Sequence, residues 1–336
     1  MRLLIVTQVI DVNHPILGFF HRWVEEFAKN CEHVHVIALQ VGKHSLPTNV
    51  TIHSLGKEDG MGKFRILCNF FQLIWRLRSE YDNVFVHMNQ IYVILGAPFW
   101  RALGKKVGLW YTHGSVSWSL KLAEKFTDYI FTASDDSFKL KSEKVQVTGH
   151  GIDTKLFLPK SIDKNIDLIT VGRITSSKNL FALVDILEEI RKADDVALTI
   201  VGVGVTSEEK EYEAKLKSYV KEKDLSQFVH FLGRVEQVNL PDILNRARVF
   251  VTTAKNGSLD KAILEPMACG LPVVSIAKGS ASLPLGANQI ATEAEFATQT
   301  HKVLESKDFM IQDYVDYINT NHSLQSLVPN ILNKIS

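Results

Sequence analysis

Two cations and two acids in the second half of the chain have the types and spacing to hold a phosphorylated ligand. Arg173 ends the apolar run DLITVGR, and Lys178 follows in ITSSKNL, just before a helical pattern carried by Phe181, Val184, Leu187 and Ile190. Two cations beside free N–H groups at a helix start form a cradle for a diphosphate. A pair of solvated loop cations is the plainer alternative. Further on, NGSLDKAILEPMACGLPVV (256–274) crowds Ser258, Asp260, Lys261 and Glu265 at the front of a short helix that stops at Gly270, with Pro272 just beyond. Ser258 is expected to cap this helix, leaving the N–H groups of Leu259, Asp260 and Lys261 outward as an anion site. Glu265, about two turns in, is placed to reach ribose hydroxyls, or else serves as a capping or salt-bridging acid. Pro266 removes one bond from the helix that carries it.

Other candidates are weaker taken singly. VGVG (201–204) follows the apolar run VALTI, but the third glycine of a dinucleotide fingerprint is missing. Its glycines let backbone approach a nucleotide or simply turn the chain. His113 ends KVGLWYTH, where a histidine at a strand's carboxyl end can hydrogen-bond a sugar or position a reacting group. A structural histidine is the alternative there, and again for His87, which ends NVFVHM, and for His150. No D-x-D triplet occurs anywhere in the chain.

The elements that must position these residues alternate from end to end. RLLIVTQ, HVHVIAL, NVFVHM, KVGLWYTH and YIFTAS are expected strands of the first half; DLITVGR, VALTIVG, FVHFLG, RVFVTTA and LPVVSIA those of the second. Helical patterns fall at 18–30, 62–80, 92–104, 179–193, 206–223, 240–247 and 260–269. The strands are continuous apolar runs, as in parallel sheets covered on both faces, so the fold class is α/β, doubly wound. The pattern restarts after VTGHGIDTKLFLPKSIDKN (147–165), a Gly/Pro/polar stretch that divides two Rossmann-like units. In such sheets ligands bind beyond the carboxyl ends of strands, and between two units the cleft is the default site.

With 336 residues, 46% of them hydrophobic, the chain can bury two cores. Its net charge is only +1, split as +4 over residues 1–155 (18 Lys+Arg, 14 Asp+Glu) and −3 over the rest (20 against 23). An imbalance this small fits an anionic partner or ordinary surface variation, and gives no sign of nucleic-acid binding. Three scattered cysteines, Cys31, Cys68 and Cys269, make neither a disulfide framework nor a zinc site, and suit a reducing cytoplasm. The start, MRLLIVTQVID, reads as a core strand rather than a signal peptide, and the longest apolar stretch, 84–100, is too short and polar for a membrane span.

VGRITSSKNL, FLGRV and LEPMACGLPVV, taken in that order after a first-half YTHG and the segment HPILGFFHRWVEEFA, resemble the retaining glycosyltransferases of the GT-B fold, the group 1, family 4-like transferases. The resemblance is strong over most of the second half and weak over the first. It implies GT-B architecture: an acceptor-binding domain over 1–155, a nucleotide-sugar domain over 156–315, and closing helices over 316–336 that pack back on the first. It implies that Arg173 and Lys178 grip the donor diphosphate, that Glu265 binds the ribose, and that the backbone at Gly233 and Arg234 holds the base. Gly204 would lie beneath the nucleotide, Gly18 would sit against the diphosphate, and His113 would contact the donor sugar. No metal or other cofactor is expected, since Arg173, Lys178 and the helix start at 258–261 would carry the leaving-group charge.

One departure stands out. The family pairs two glutamates eight positions apart, and counting back from Glu265 lands on Gly257. Asp260 is the residue that would take over part of the missing acid's role. The expectation is a cytoplasmic retaining glycosyltransferase that moves a sugar, from a UDP-sugar by family habit, to a glycan or lipid-linked acceptor. The alternatives are a nucleotide-sugar epimerase of the same fold or a non-catalytic nucleotide-sugar-binding subunit; a phosphorylase would need a longer chain. KFRILCNFFQLIWRLR (63–78) mixes aromatics and cations. It reads as a helix for peripheral contact with the inner face of a membrane, or as a core helix with a basic outer face.

Overall fold

The computed structural model describes residues 1–255, 257, 259–290, 292–306 and 311–336. The chain forms two compact units, Met1–Asp153 with His322–Ser336, and Thr154–Asn321.

The first unit runs β1 (Arg2–Ile10), α1 (Phe20–Asn30), β2 (His33–Val41), β3 (Val50–Ser54), α2 (Lys63–Arg76), β4 (Asn83–His87), α3 (Gln90–Ala102), β5 (Val107–Trp110), α4 (Trp118–Phe126), β6 (Tyr129–Thr132) and β7 (Val145–Val147). Its sheet is parallel throughout, in the order β3-β2-β1-β4-β5-β6-β7. The alternation along β1 shows why its apolar run is unbroken. Leu3 and Ile5 join a core with Phe20, Trp23 and Phe27 of α1, while Leu4 and Val6 join the opposite core with Phe70 of α2 and Trp100 of α3.

The second unit runs β8 (Ile166–Val171), α5 (Leu180–Ile190), β9 (Leu198–Val201), α6 (Ser207–Glu222), β10 (Val229–Gly233), α7 (Leu240–Asn245), β11 (Ala247–Thr252), α8 (Lys261–Ala268), β12 (Val273–Ser275), α9 (Glu293–Glu305) and α10 (Ile311–Asn321). Its parallel sheet has the order β10-β9-β8-β11-β12. The first five strands of each unit therefore share one Rossmann order, whose reversal falls between β1 and β4 in one and between β8 and β11 in the other.

The chain then returns: α11 (Leu324–Ile335) buries Leu324, Leu327, Val328, Ile331 and Ile335 in the core on the α1 side of the first sheet. Gly108 in β5 makes room for it, because a Cβ there would lie 3.1 Å from Ile335 Cγ2. The two closing helices divide, for α10 stays in the second unit and only α11 joins the first. Four elements have no counterpart among the expected ones: β3, β7, α4 and α9. The edge strand β3 is at best half-buried along its length and lacks the apolar run that marks the others. Among the described residues no helix is long and apolar enough to cross a membrane.

Candidate functional site

The β8/β11 reversal of the second unit gathers most of the second-half candidates. Three strands end there in glycine. Gly172, Gly202 and Gly233 have φ of 143°, 137° and 74°, values that L side chains rarely adopt. The Gly202 N–H donates to the Gly233 carbonyl at 2.8 Å, and a Cβ on Gly202 would stand 1.9 Å from the Gly172 carbonyl oxygen. The crest of the sheet is therefore bare backbone, and the Lys178 side chain lies across it, with Nζ 3.2 Å from where a Gly172 Cβ would be.

Lys178 closes a 3₁₀ turn, Ser176–Lys178, and Asn179 follows in the left-handed region at φ 52°. This turn is stitched to the segment after β11. Thr253 Oγ1 donates to the carbonyls of Lys178 (3.2 Å) and Asn179 (3.0 Å), and the Lys255 N–H donates to the Ser177 carbonyl at 2.9 Å. The turn that carries Lys178 is thus tied at both ends to the segment after β11. The free N–H groups expected at the helix start are not free. The Ser177 N–H donates to Thr175 Oγ1, and that of Leu180, the first residue of α5, donates to the Tyr212 hydroxyl at 3.1 Å.

Both expected diphosphate cations are paired with acids. Arg173 Nη1 meets Glu209 Oε1 at 2.7 Å while its own side chain remains 47% exposed. Glu209 is the third residue of α6 and forms a capping box with Thr206. Burial alone would push its pKa up, but N–H bonds from Thr206 and Val205 and the Arg173 guanidinium outweigh this and hold it below the usual range. Gly204 packs against this helix start: a Cβ there would lie 2.5 Å from the Glu209 carbonyl oxygen, and its N–H donates to Glu213 at 2.8 Å.

Lys178 is paired more deeply. Its Nζ bonds Asp260 Oδ2, with only 16% of the lysine side chain exposed. Asp260 is also the N-cap of α8, its Oδ1 accepting the Ala262 N–H at 3.0 Å. The cap expected on Ser258 is therefore on Asp260, and Ser258 itself lies outside the described residues. Because the helix begins at Lys261, Leu259 and Asp260 precede it rather than forming its first turn, and Leu259 is buried. A carboxylate already occupies the helix start, where the sequence suggested a place for an outside anion. Gly257 is exposed, with nothing within 4 Å of where its Cβ would be.

Glu265 lies one turn into α8 and is almost wholly buried, with Lys261 Nζ 3.6 Å and Gln237 Nε2 3.4 Å from Oε1. Burial pushes its pKa up, against the pull of Lys261. The acid is thus salt-bridged within its own helix, the plainer of the two readings the sequence left open. Pro266 is buried behind it without ending the helix, which runs on to Ala268. Gly233 and Arg234 sit at the end of β10, the arginine exposed. Glu209 and Thr253 were missed as site-building residues. The T-x-x-E spacing of Thr206 and Glu209 was a readable signal; nothing marked Thr253.

The first unit places its candidates separately. Gly18 precedes α1 in the loop after β1, where a Cβ would meet the carbonyl oxygens of His14 at 2.8 Å and Val12 at 2.9 Å. His113 follows β5 and is exposed; its Nδ1 lies 3.3 Å from the Ser115 N–H and 3.0 Å from Ser115 Oγ. With Nδ1 accepting, the neutral ring carries its proton on Nε2, which is left to donate outward. His87 is a core residue, fully buried, with Nδ1 3.2 Å from Thr7 Oγ1 and its ring stacked on Phe20 at 3.8 Å. His150 donates its backbone N–H to His322 Nδ1. Among the described residues no group of three or more His, Cys, Asp or Glu is arranged to hold a metal ion.

Comparison with known proteins gives this arrangement a family. Residues 153–302 match the family described as glycosyl transferases group 1. A phosphatidylinositol N-acetylglucosaminyltransferase subunit from Arabidopsis thaliana is 26% identical over 144 residues, 42% of this chain and 31% of its own. The mannosylfructose-phosphate synthase of Agrobacterium fabrum is 27% identical over 154 residues, 41% of this chain and 34% of its own. The chain thus spans about a third of the length of these curated relatives. Anabaena HepE, solved in complex with UDP, superposes with a TM-score of 0.79 at 17% identity, covering 99% of both chains. The two parallel-sheet units have the GT-B fold of these neighbours, and it is residues 153–302, in the second unit, that carry the match to the glycosyl transferases group 1 family.

Proposed function

We propose that the chain is a retaining glycosyltransferase that takes a sugar from a nucleotide-sugar, preferably a UDP-sugar, and passes it to a glycan or lipid-linked acceptor without a metal. The observation that carries this reading is the set Arg173, Lys178 and Glu265 around a glycine crest at the β8/β11 reversal. HepE, solved with UDP, supports the uridine nucleotide. The second unit is assigned the donor and the first the acceptor.

On this reading the diphosphate displaces the resident acids. Lys178 turns from Asp260, and Arg173 from Glu209, to phosphate oxygens, so binding exchanges each cation's partner while the Lys178 turn stays tied to the segment after β11. Glu265 accepts from ribose hydroxyls as the carboxylate, Gly233 and Arg234 hold the base, and Gly204 closes the floor. Gly18 lets backbone approach the diphosphate, and His113 donates from Nε2 to the donor sugar. In the reaction the acceptor hydroxyl oxygen bonds the anomeric carbon on the face the diphosphate leaves. The carbon–oxygen bond to phosphate breaks with its electron pair going to the diphosphate, and that group takes the hydroxyl proton. The three free cysteines suit a reducing, cytoplasmic setting.

One observation favours a second reading. Asp260, the residue nominated for the missing acid at Gly257, is already committed to Lys178 and to the α8 cap. A protein that binds nucleotide-sugar without turning it over, in support of an active partner, would look the same. A thermal-shift panel of UDP, GDP and their sugars, followed by transfer and donor-hydrolysis assays with and without EDTA, separates the two. A nucleotide that binds the folded state raises the midpoint. No response to any of them refutes both readings; a response without turnover leaves the non-catalytic one. Turnover that survives both Lys178→Ala and His113→Ala overturns the site assignment.

A further inference from the structure

Helix α2 is apolar on two opposite faces. Phe70, Leu73 and Ile74 are buried in the core of the first unit, as the inner stripe of an ordinary surface helix. Such a helix normally turns polar side chains outward. Instead, Phe64, Cys68, Phe71 and Trp75, spaced i, i+4, i+7 and i+11, form a second stripe facing away from the core. Phe64 is 79% exposed, Trp75 58% and Phe71 42%. Aromatic side chains in line over three turns of helix amount to more than scattered surface hydrophobics.

Charge settles what this face meets. Residues 61–78 carry Lys63, Arg65, Arg76 and Arg78 and no acid. Lys63 lies on one flank of the stripe, with Arg65 and Arg76 on the other. Arg78 stacks over the Trp75 ring at 4.5 Å, so a cation sits on the aromatic face itself. The neighbouring acids are Glu58 and Asp59 before the helix and Glu80 after it, and Glu80 is drawn to His35 Nε2 at 3.4 Å. The patch continues onto α3, where Phe99 meets Trp75 at 5.6 Å between ring centres and Leu103, one turn on, is exposed. Two copies of so basic a face would repel each other. An anionic lipid surface supplies both the apolar depth and the counter-charge.

We propose that this face of α2 docks the protein on an anionic bilayer, with Phe64, Phe71 and Trp75 at headgroup depth and the cations against lipid phosphates. The proposal stands independently of the donor reading. Only its corollary, that the acceptor is lipid-linked, rests on that reading.

The test is co-sedimentation of the full chain with phosphatidylcholine vesicles, with and without phosphatidylglycerol, at low and high salt. Binding should require phosphatidylglycerol and weaken with salt. Phe64→Ser/Trp75→Ser and, separately, Arg65→Gln/Arg78→Gln should each lower the partition coefficient roughly tenfold or more. Neither pair reaches the core, so thermal midpoints and the nucleotide response of the free protein should match the parent; the charge pair keeps the test valid if the aromatic pair unfolds. Equal binding to both vesicle types, binding to neither, or full retention by both variants overturns the proposal. So does self-association abolished by the aromatic pair in place of vesicle binding. Failure of the nucleotide panel with intact vesicle binding would sink the donor reading and leave this one standing.

Discussion

The two units run their first five strands in the same order, yet the reversal points of their sheets are furnished differently. At β1/β4 packed side chains fill the reversal: His87 bonds Thr7 and stacks on Phe20, with Trp23 close by. On the β8 side of the β8/β11 reversal, β8, β9 and β10 each run out into glycine, and the ion pairs of Arg173 and Lys178 lie in the loop after β8. Topology supplies the same reversal twice; residue choice fills one with packed rings and furnishes the other with glycines and ion pairs. The proposed donor site thus rests on three bare strand ends and the paired charges beside them.

The largest effect that would break this contrast is Gly202→Ala. A Cβ there meets the Gly172 carbonyl oxygen at 1.9 Å with φ near 137°, so the second unit should lose more than about 4 kcal/mol, read as an early transition in calorimetry. Gly114 of the first unit has open space around it, and Gly114→Ala should stay within about 0.5 kcal/mol. If the two behave alike, the crest does not demand glycine.

Lys178→Ala comes next. It should cut kcat/KM by about a hundredfold or more, ~2.7 kcal/mol, as expected for loss of one leaving-group contact. His87→Ala, at the other reversal, should lower the thermal midpoint and leave nucleotide affinity unchanged. A parallel loss of affinity in His87→Ala would mean the first unit's reversal also serves the donor.

Glu265→Gln sharpens the contrast by moving two quantities in opposite directions. Its pKa is raised in the folded chain, so on raising the pH the unfolded chain gives up its proton first. Folded stability therefore falls with pH from the ordinary glutamate value of 4.5 up to the raised native one. The glutamine variant should flatten that fall and melt higher at neutral pH, yet bind nucleotide more weakly by about 1.5–3 kcal/mol if the carboxylate takes the ribose. Equal affinity would remove Glu265 from the site. The smallest effect expected is from Glu209→Gln: its partner Arg173 is half exposed, so the lost pairing should cost within about 1 kcal/mol of stability, measured by denaturant titration.

The α/β class was legible because doubly covered strands must be apolar throughout, and each of the ten expected strands is one in the structure. β3 escaped because an edge strand need not be apolar, and α4 because it is only nine residues long. At the site, charge and position were readable but pairing was not. That Arg173 and Lys178 stand near the β8 crest follows from local sequence. Their pairing with Glu209 and Asp260 depends on contacts 36 and 82 residues away. The helix start at 258–261 misled for a local reason: Ser258 and Asp260 are both good caps, and the one whose carboxylate also faces Lys178 prevails.

The return of α11 to the first sheet has a consequence for how the chain is made. Phe20, Trp23 and Phe27 belong to α1, near the start of the first unit, but α11, which shares their core, follows an intervening unit of residues Thr154–Asn321. At ordinary ribosomal speeds that delay is roughly 10–30 s. During it the older half of the protein waits with an uncovered aromatic face, while the younger half can already close around its own sheet. The unit whose larger part is made first is the one that completes its core last, and it is the one a chaperone would have reason to hold.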